Sequence, residues 1–209
     1  MSAATTHLLE ADPAFASIIA AVPEFAGSER RQGDYFNALV RAITYQQLAG
    51  TAAAAIHGRF IRLFGGEPPP EAVLAANEGE LRACGLSGAK LTAIRDLAQK
   101  VVDGDVPLER LDELGDDEIV ARLASVRGIG RWTAEMFLIF QLGRPDVWPV
   151  DDLAVRRGYA VIHGLPEWPR PRELQLLGEI YRPYRTTAAW YCWRTREVVL
   201  PSPEIQREV

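Results

Sequence analysis

A glycine hairpin followed by a pair of carboxylates holds the residue types in this chain that are best suited to chemistry. The hairpin is the run Gly128-Ile129-Gly130, and the carboxylates are Asp151 and Asp152. Two glycines allow positive φ angles and a close approach of the backbone to a ligand. A helix that begins near Arg131 directs its unpaired N–H groups at an anion such as phosphate. This order predicts a backbone that binds DNA, followed by acid chemistry.

Both parts of this pattern also have a purely structural interpretation. Paired glycines occur in many turns and helix starts, so Gly128 and Gly130 alone do not identify a function. An aspartate directly before a helix is most often an N-cap. Both roles can be filled here, with Asp151 as the cap of the following helix and Asp152 as a carboxylate that projects into a cleft.

The charge of the chain is distributed unevenly. Its formal net charge of −5 over 209 residues argues at first against a polyanionic partner. Residues 121–209 hold 13 arginines against 10 acidic residues, whereas residues 1–120 hold 10 lysines and arginines against 18 acidic residues. The basic half contains the hairpin, and the planar guanidinium of arginine suits bidentate phosphate contacts. The composition therefore permits DNA binding without identifying it.

The cysteines and the apolar segments exclude several classes of protein. Cys84 and Cys192 are the two cysteines of the sequence, so a disulfide framework, a four-cysteine zinc site and an iron–sulfur cluster are all excluded. The N-terminus lacks the pattern of a secretory signal, and no apolar run reaches the ~20 residues that span a bilayer. We expect a cytoplasmic protein that is associated with the nucleoid through DNA.

Apolar residues recur at helical spacing along most of the chain, and no alternating strand pattern of useful length occurs, so the predicted fold class is all-α. Asp12-Pro13 is typical of an N-cap followed by the first helical residue. We expect Thr51 and the Asp116-Asp117 pair to cap later helices. The predicted helices cover about residues 13–22, 35–48, 51–64, 70–76, 78–83, 88–101, 117–125, 132–142, 152–162, 172–181 and 184–198.

Three segments together resemble one known family. Gly128-Ile129-Gly130-Arg131-Trp132-Thr133-Ala134 and the downstream Trp148-Pro149-Val150-Asp151-Asp152-Leu153 resemble the helix-hairpin-helix motif and the aspartate of the DNA glycosylase superfamily. With Ile43-Thr44-Tyr45-Gln46-Gln47-Leu48, the likeness is to the alkylation-repair branch, the 3-methyladenine DNA glycosylase II type, and it extends from about Asp34 to Arg196. The resemblance implies two helical subdomains, residues 34–145 and residues 1–33 with 146–209, and an active cleft between them.

The same resemblance implies a mechanism. By register with the family motif, Asp152 is the catalytic aspartate, and Trp132 stands where strand-cutting relatives have a lysine. Tryptophan has no amine that can form a Schiff base, so the family register implies a monofunctional enzyme that releases a base with water. An indole face attracts a cationic base by about 0.5–2 kcal/mol, which favours N3-methyladenine and N7-methylguanine. Because such bases leave readily, a lone carboxylate suffices to stabilise the sugar cation and to activate water.

The remaining site residues follow from the same register. The base pocket is expected to contain Trp132, Trp193, Met136, Leu153 and Tyr45. The residues expected to contact DNA are Arg127, Gly128, Ile129, Gly130 and Arg131, with Gln47 and Leu48 as candidates for the wedge that replaces the flipped base. The backbone carbonyls of Ala124, Val126 and Ile129 match a family site for Na⁺ or K⁺, and no cofactor is expected to be required.

The chain departs from the family pattern at positions that affect specificity. Arg127 replaces a proline that commonly precedes the first hairpin glycine, and Met136 and Leu153 replace aromatic residues that crowd the pocket in some relatives. These changes predict a wider pocket. Trp132 taken alone is also compatible with an ordinary core aromatic, and Gln46-Gln47 with a solvated helix end.

Two alternative functions stay open at this point. A non-catalytic helix-hairpin-helix module needs the hairpin but not the acid, and a glycosylase for a neutral lesion, such as uracil or hypoxanthine, needs no cation-binding pocket. The expected partner is double-stranded DNA containing alkylated bases, within base excision repair. We expect no association with membranes and a monomeric protein.

Overall fold

The computed structural model describes residues 1–27, 29–31 and 33–198, and every regular element in these residues is helical, which confirms the all-α prediction. The α-helices are α1 (Ala3–Ala11), α2 (Ala16–Ala21), α3 (Tyr35–Tyr45), α4 (Gly50–Phe64), α5 (Pro70–Ala75), α6 (Glu78–Ala83), α7 (Gly88–Val102), α8 (Asp116–Ala124), α9 (Arg131–Phe140), α10 (Leu153–Ile162), α11 (Pro171–Leu177) and α12 (Arg185–Arg194). Short 3₁₀ helices cover Pro13–Phe15, Leu108–Glu113 and Gly178–Tyr181. Among the described residues, no helix combines the length and apolar character needed to cross a membrane.

The chain forms two compact units. One comprises residues 31–137 and is called here the hairpin unit, and the other comprises residues 1–30 with 138–209 and is called the acid unit. The boundary at residue 137 falls inside α9, whereas the family resemblance implied a first subdomain of residues 34–145. The first turns of α9 therefore belong to the hairpin unit and its last residues to the acid unit.

In the hairpin unit, nearby residues in the sequence determine where the helices begin and which faces they bury. Asp34 caps α3 by accepting the N–H of Asn37 at 3.1 Å, and Ser87 caps α7 by accepting the N–H of Lys90 at 3.3 Å. Helix α7 packs against α3 and α5, and α3 also packs against α4. The fully buried residues along these faces recur at helical spacing, and they are Leu39, Val40, Ile43, Ala53, Phe60, Val73, Ile94, Leu97 and Ala98.

In the acid unit, α10 and α12 pack closely together. A Cβ atom on Gly158 would lie 2.0 Å from the carbonyl oxygen of Cys192, so only glycine permits this approach of the two helices. Helix α1, which sequence reasoning did not predict, packs against α12 and buries Leu8. The predicted cap at Asp12 is confirmed, because its Oδ1 accepts the N–H of Ala14 at 3.1 Å.

Several predicted helix boundaries are corrected by the backbone. Helix α3 ends at Tyr45 rather than at residue 48, because its C-cap residue Gln46 leaves the helical region with ψ 133° and Gln47 follows with a left-handed φ of 55°. Helix α4 begins at Gly50 with Ala49 as its N-cap residue, so Thr51 is not a cap. Gly115 is the N-cap residue of α8, which places Asp116 inside the first turn, where a carboxylate favours the helix dipole.

Candidate active site and nucleic-acid interface

The hairpin between α8 and α9 is a tight turn that requires glycine at its first position. Gly128 has φ +77°, and a Cβ atom there would lie 3.1 Å from the Cβ of Ala93. The N–H of Ile129 donates to the carbonyl of Val126 at 3.1 Å, and the Ile129 side chain is buried. The turn is therefore held by its own backbone and by one apolar anchor. The positive φ expected of the glycines is confirmed at Gly128, whereas Gly130 is not among the residues with positive φ.

Two side chains from distant parts of the hairpin unit also hold this turn. Asp96 on α7 accepts the N–H of Arg127 at 2.8 Å. Gln46, at the end of α3, donates from Nε2 to the carbonyl of Gly128 at 2.8 Å. Sequence reasoning missed both contacts, because residues separated by 31 and 82 positions leave no local signal of their pairing. The Arg127 side chain itself is exposed, beside the turn that its own N–H helps to hold.

The start of α9 has the properties of an anion site. The N–H of Ala134 donates to the carbonyl of Gly130 at 3.1 Å in the first turn of α9, and the N-terminal end of a helix dipole favours anions. The side chain of Arg131 is exposed and donates from Nε to Glu135 at 2.8 Å, and only 3% of the Glu135 side chain is exposed. The charge of Arg131 is thus shared with a buried carboxylate one turn further along the helix.

The predicted wedge segment forms an exposed turn between α3 and α4. Gln47 and Leu48 are both exposed, and Gln47 is the one non-glycine residue with positive φ in the part of the chain that the structure describes. A left-handed conformation is unfavourable for a residue with a long side chain, and such outliers concentrate at functional sites. The segment is thus an exposed turn outside α3, in which Gln47 holds an unfavourable backbone conformation.

Asp152 is the N-cap residue of α10, and its carboxylate is held by several donors. Oδ1 accepts the N–H of Ala154 at 2.8 Å and the N–H of Val155 at 2.9 Å. Only 9% of Asp152 is exposed, whereas the neighbouring Asp151 is exposed and lies in the preceding turn. The expected division of roles between the two aspartates was wrong, because the residue assigned to the chemistry is also the cap.

Trp193 lies directly beside this carboxylate. Its indole Nε1 donates to Oδ1 of Asp152 at 3.2 Å, so α12 fixes the acid from a second direction. The Trp193 ring stacks on Phe140 with ring centroids 5.7 Å apart and an interplanar angle of 26°. Trp193 therefore lies where the family register expected it, and Phe140 is an additional aromatic that sequence reasoning overlooked.

The spacing along α9 contains the signal that identifies Phe140. Trp132, Met136 and Phe140 follow one another at intervals of four residues and so share one face of the helix. Trp132 is 46% exposed and Phe140 is 40% exposed, while Met136 is partly exposed. Apolar residues on a helix face that the fold leaves open are more typical of a binding surface than of core packing. The core interpretation of Trp132 does not hold.

The other residues assigned to the pocket have different surroundings. Leu153, directly after Asp152, is 44% exposed. Tyr45, at the end of α3, is partly buried beneath Arg41, whose guanidinium carbon lies 4.2 Å from the ring centroid. Asp152, Leu153 and Trp193 belong to the acid unit, and Tyr45, Trp132 and Met136 belong to the hairpin unit.

The carbonyls assigned to an alkali cation lie at the end of α8 and in the hairpin. Ala124 is the last residue of α8, and the carbonyl of Val126 accepts the N–H of Ile129 at 3.1 Å. Carbonyls at a helix C-terminus lack intrahelical donors and carry partial negative charge, which suits a monovalent cation. Among the three assigned carbonyls, this argument applies to that of Ala124, since Val126 and Ile129 lie beyond the end of α8.

The acid unit has a thiol near Asp152 that is unsuited to act as a nucleophile. Cys192 precedes Trp193 in α12, and burial raises the pKa of its thiol well above the usual range, with the negative charges of Asp12 and Asp152 acting in the same direction. Thiols react as thiolates, so this sulfur is inert at neutral pH.

Comparison with known proteins identifies the family. Residues 40–183, which include the Gln46-Gln47 turn, the hairpin and Asp152, match the family described as "HhH-GPD superfamily base excision DNA repair protein". The chain belongs to this superfamily. The resemblance read from the three sequence segments is thereby confirmed.

Individual members of the superfamily are similar over most of the chain. The DNA-3-methyladenine glycosylase 1 of Schizosaccharomyces pombe is 41% identical over 166 residues, which cover 78% of this chain and 73% of that protein. A solved structure of the S. pombe 3-methyladenine DNA glycosylase in complex with abasic DNA has a TM-score of 0.79 at 35% identity and covers 95% of this chain and 98% of that one. A DNA-3-methyladenine glycosidase from Bacillus halodurans has a TM-score of 0.83 at 31% identity, covering 93% and 89%.

Proposed function

We propose that this protein is a monofunctional DNA glycosylase of base excision repair that hydrolyses the N-glycosidic bond of alkylated bases flipped out of duplex DNA. The observation that carries the proposal is the carboxylate of Asp152, which the α10 N-terminus and the indole N–H of Trp193 orient together. The names of the similar proteins support the same activity, since they are DNA-3-methyladenine glycosylases. N3-methyladenine and N7-methylguanine are the proposed substrates.

In the proposed reaction, Asp152 acts on the sugar rather than on the base. As the glycosidic bond breaks, positive charge develops on the deoxyribose, and a fixed carboxylate stabilises that charge without reorganising. The same group orients a water molecule and accepts its proton, and the water oxygen forms the new bond to the anomeric carbon. The products are the free base and an abasic site, and no organic cofactor is required for these steps.

Aromatic side chains account for the proposed preference for cationic lesions. Trp132 and Phe140 on α9, and Trp193 on α12, are rings with at least partly exposed surface. The negative face of an aromatic ring attracts a methylated, positively charged purine by about 0.5–2 kcal/mol, and more when water is excluded. A base that already carries a positive charge needs no general acid to leave. One carboxylate therefore suffices.

We further propose that the enzyme does not cut the DNA strand. A lyase requires an amine that attacks the sugar carbon, and tryptophan occupies position 132. The sequence contains two lysines, Lys90 and Lys100. The Nζ of Lys90 donates to the carbonyl of Thr44 at 2.6 Å, and Lys100 lies ten residues further along the same helix.

The hairpin is the proposed DNA clamp. The N–H groups at the start of α9 would bind a phosphate, and a Na⁺ or K⁺ ion held by the carbonyls of Ala124, Val126 and Ile129 would supply positive charge there. Gln47 and Leu48 are the proposed wedge, since both are exposed at a turn held in an unfavourable backbone conformation. A monomer contains every residue that this proposal uses.

Base release from methylated duplex DNA by the wild type, Asp152→Asn and Asp151→Asn tests the proposal. Asparagine is also a good N-cap, so Asp152→Asn retains the cap while removing the charge. We expect Asp152→Asn to lose base release and keep DNA binding, and the exposed Asp151→Asn variant to match the wild type. A wild type that binds DNA but releases no base identifies a binding module instead. Equal rates on uracil, hypoxanthine and methylated purines contradict the proposed selectivity.

Borohydride trapping tests the absence of strand cleavage. A Schiff base between an enzyme amine and the sugar is reduced to a stable covalent adduct, whereas a hydrolytic enzyme gives none. We expect abasic DNA that breaks only after alkaline treatment and no trapped species at any time point. A trapped adduct, located by mass spectrometry at Lys90 or Lys100, overturns this part of the proposal.

A further inference from the structure

One hydrogen bond ties the wedge segment to the hairpin. The side-chain Nε2 of Gln46 donates to the carbonyl of Gly128 at 2.8 Å, across a sequence separation of 82 residues. Both residues lie in the hairpin unit, and Gln46 directly precedes Gln47. The contact therefore joins the two segments that the proposed function uses to hold DNA and to extrude the base.

On the hairpin side, this bond holds a peptide group at both of its ends. The peptide between Gly128 and Ile129 presents its oxygen to Gln46 and its N–H to the carbonyl of Val126. The N–H of Arg127, two residues before Ile129, is bound by Asp96. The orientation of the turn, and with it the start of α9, is thus set by contacts that leave little rotational freedom.

On the wedge side, the chain is held just as closely. Lys90 donates to the carbonyl of Thr44 at 2.6 Å, which fixes the last turn of α3. Gln46 then leaves the helix at ψ 133°, and Gln47 follows with φ 55°. Because a left-handed residue costs of order 1–3 kcal/mol, neighbouring contacts must maintain it. Two contacts flank Gln47: the N–H of Leu48 donates to the carbonyl of Tyr45 at 3.4 Å, and the Gln46 side chain bonds to the hairpin.

We propose that Gln46 is a positioning residue that couples the wedge to the phosphate clamp. When the hairpin binds the backbone of the DNA, the amide of Gln46 sets where Gln47 emerges relative to that backbone. When this hydrogen bond is lost, the wedge segment and the hairpin both remain, but Gln47 is no longer held at a fixed position relative to the hairpin. Extrusion of the base then suffers more than binding of the duplex. This inference rests on the proposed function, because it assigns a role within base flipping.

Gln46→Met and a matched control, Gln99→Met, test the proposal. Methionine keeps the length of the side chain and removes the N–H donor. Gln99 is exposed on α7 and donates only to Asp103 four residues away, at 2.8 Å, so its substitution leaves the turn untouched. Gln46→Glu serves as a second variant of nearly identical shape, in which a carboxylate faces the Gly128 carbonyl.

Three measurements separate positioning from a general loss of structure. The affinity for undamaged duplex is measured by fluorescence anisotropy, base extrusion by the fluorescence of 2-aminopurine at the target position, and excision by single-turnover kinetics. For Gln46→Met we expect a drop of about 5- to 10-fold in extrusion and excision, in line with one lost hydrogen bond, and a change in affinity below about 2-fold. Gln46→Glu should lose at least as much, and Gln99→Met should match the wild type.

A double-mutant cycle with Gln47→Ala provides the decisive comparison. If Gln46 acts through Gln47, removing the wedge makes the loss of the Gln46 amide nearly silent, and the two effects are strongly non-additive. Additive effects, or a Gln46→Met variant that extrudes and excises like Gln99→Met, overturn the inference while leaving the proposed function intact. A wild type that extrudes 2-aminopurine without excising any methylated base contradicts the proposed function, and the extrusion arm still tests the coupling.

Discussion

The hairpin and the region around Asp152 differ in which part of the chain carries the proposed function: main-chain groups in the hairpin, and one side chain at Asp152. The hairpin is exposed at Arg127, Gly128 and Gly130, and it depends on the absence of a Cβ at Gly128. It is held through its backbone groups, which bond to one another and to the side chains of Asp96 and Gln46. The acid region is buried, and its carboxylate is bound by two backbone N–H groups and by the indole of Trp193. Binding thus depends on the shape of the main chain, and chemistry depends on one side chain.

This difference determines how each region responds to substitution. A backbone clamp tolerates many side chains but not a change of φ, because its ligand-binding groups are the peptide N–H donors. A single carboxylate tolerates no change of chemistry, although a replacement that retains the cap preserves the fold. The two regions can therefore be perturbed independently, and the following predictions run from the largest expected effect to the smallest.

The largest effect is expected at Asp152. Asp152→Asn should reduce the single-turnover rate of base release by about 10³-fold or more, because electrostatic stabilisation of the sugar cation is lost. Its thermal stability should stay close to the wild type, whereas Asp152→Ala should also lose about 1 kcal/mol with the cap. Kinetics and thermal denaturation of both variants check this. An Asn variant that retains most of its activity would break the assignment of the chemistry to this side chain.

A smaller effect is expected from Gly128→Ala, with Gly130→Ala as its matched control. At Gly128, an L-residue has to adopt φ +77° and to contact Ala93, whereas a Cβ on Gly130 meets nothing within 4 Å. We expect Gly128→Ala to destabilise the protein by about 1–2 kcal/mol and to weaken DNA binding several-fold. Gly130→Ala should be nearly neutral. Equal effects at both positions would show that backbone shape does not govern the clamp.

Trp193→Phe addresses how the carboxylate is held. Phenylalanine retains a ring that can stack on Phe140 but loses the Nε1–H that donates to Asp152. Losing one hydrogen bond to a charged group should lower the single-turnover rate by about 10-fold or somewhat more, with little change in duplex affinity. Parallel measurements on Phe140→Leu separate the two contributions. If Phe140→Leu lowers the single-turnover rate more than Trp193→Phe does, the stacking of Trp193 on Phe140 matters more than the hydrogen bond to Asp152.

The smallest effect concerns the side chain of Arg127. Its backbone N–H is bound by Asp96, so the fold of the turn does not depend on the guanidinium. If the guanidinium contacts a phosphate, Arg127→Ala should reduce the slope of log affinity against log salt by about 1, with base release at saturating enzyme unchanged. Titrations at several salt concentrations test this. An unchanged slope shows that the guanidinium contacts no phosphate.

How far the sequence predicted each region follows from the range of the interactions. The helical fold, the Asp12 cap and the positive φ of Gly128 are expressed by residues close together in the chain, and these predictions are confirmed. The contacts of Asp96 and Gln46 that also hold the turn at Gly128 have no such local signal. The end of α3 was misplaced because the Gln46-Gln47 turn depends on a hairpin 82 residues away. Phe140 was overlooked because an exposed aromatic on an apolar helix has the same sequence pattern as a buried one.

The amino-acid sequence by itself determined the all-helical class, the superfamily and the positions of the hairpin and the acid, because local propensity and motif spacing express these directly. Only the tertiary structure decided that Asp152 rather than Asp151 caps α10, that Trp193 donates to it, and that Gln46 bonds to the hairpin. The cap is a local contact whose position depends on where α10 begins, whereas the contacts of Trp193 and Gln46 join segments that are 41 and 82 residues apart. Their partners are selected by packing, which local residue patterns do not encode.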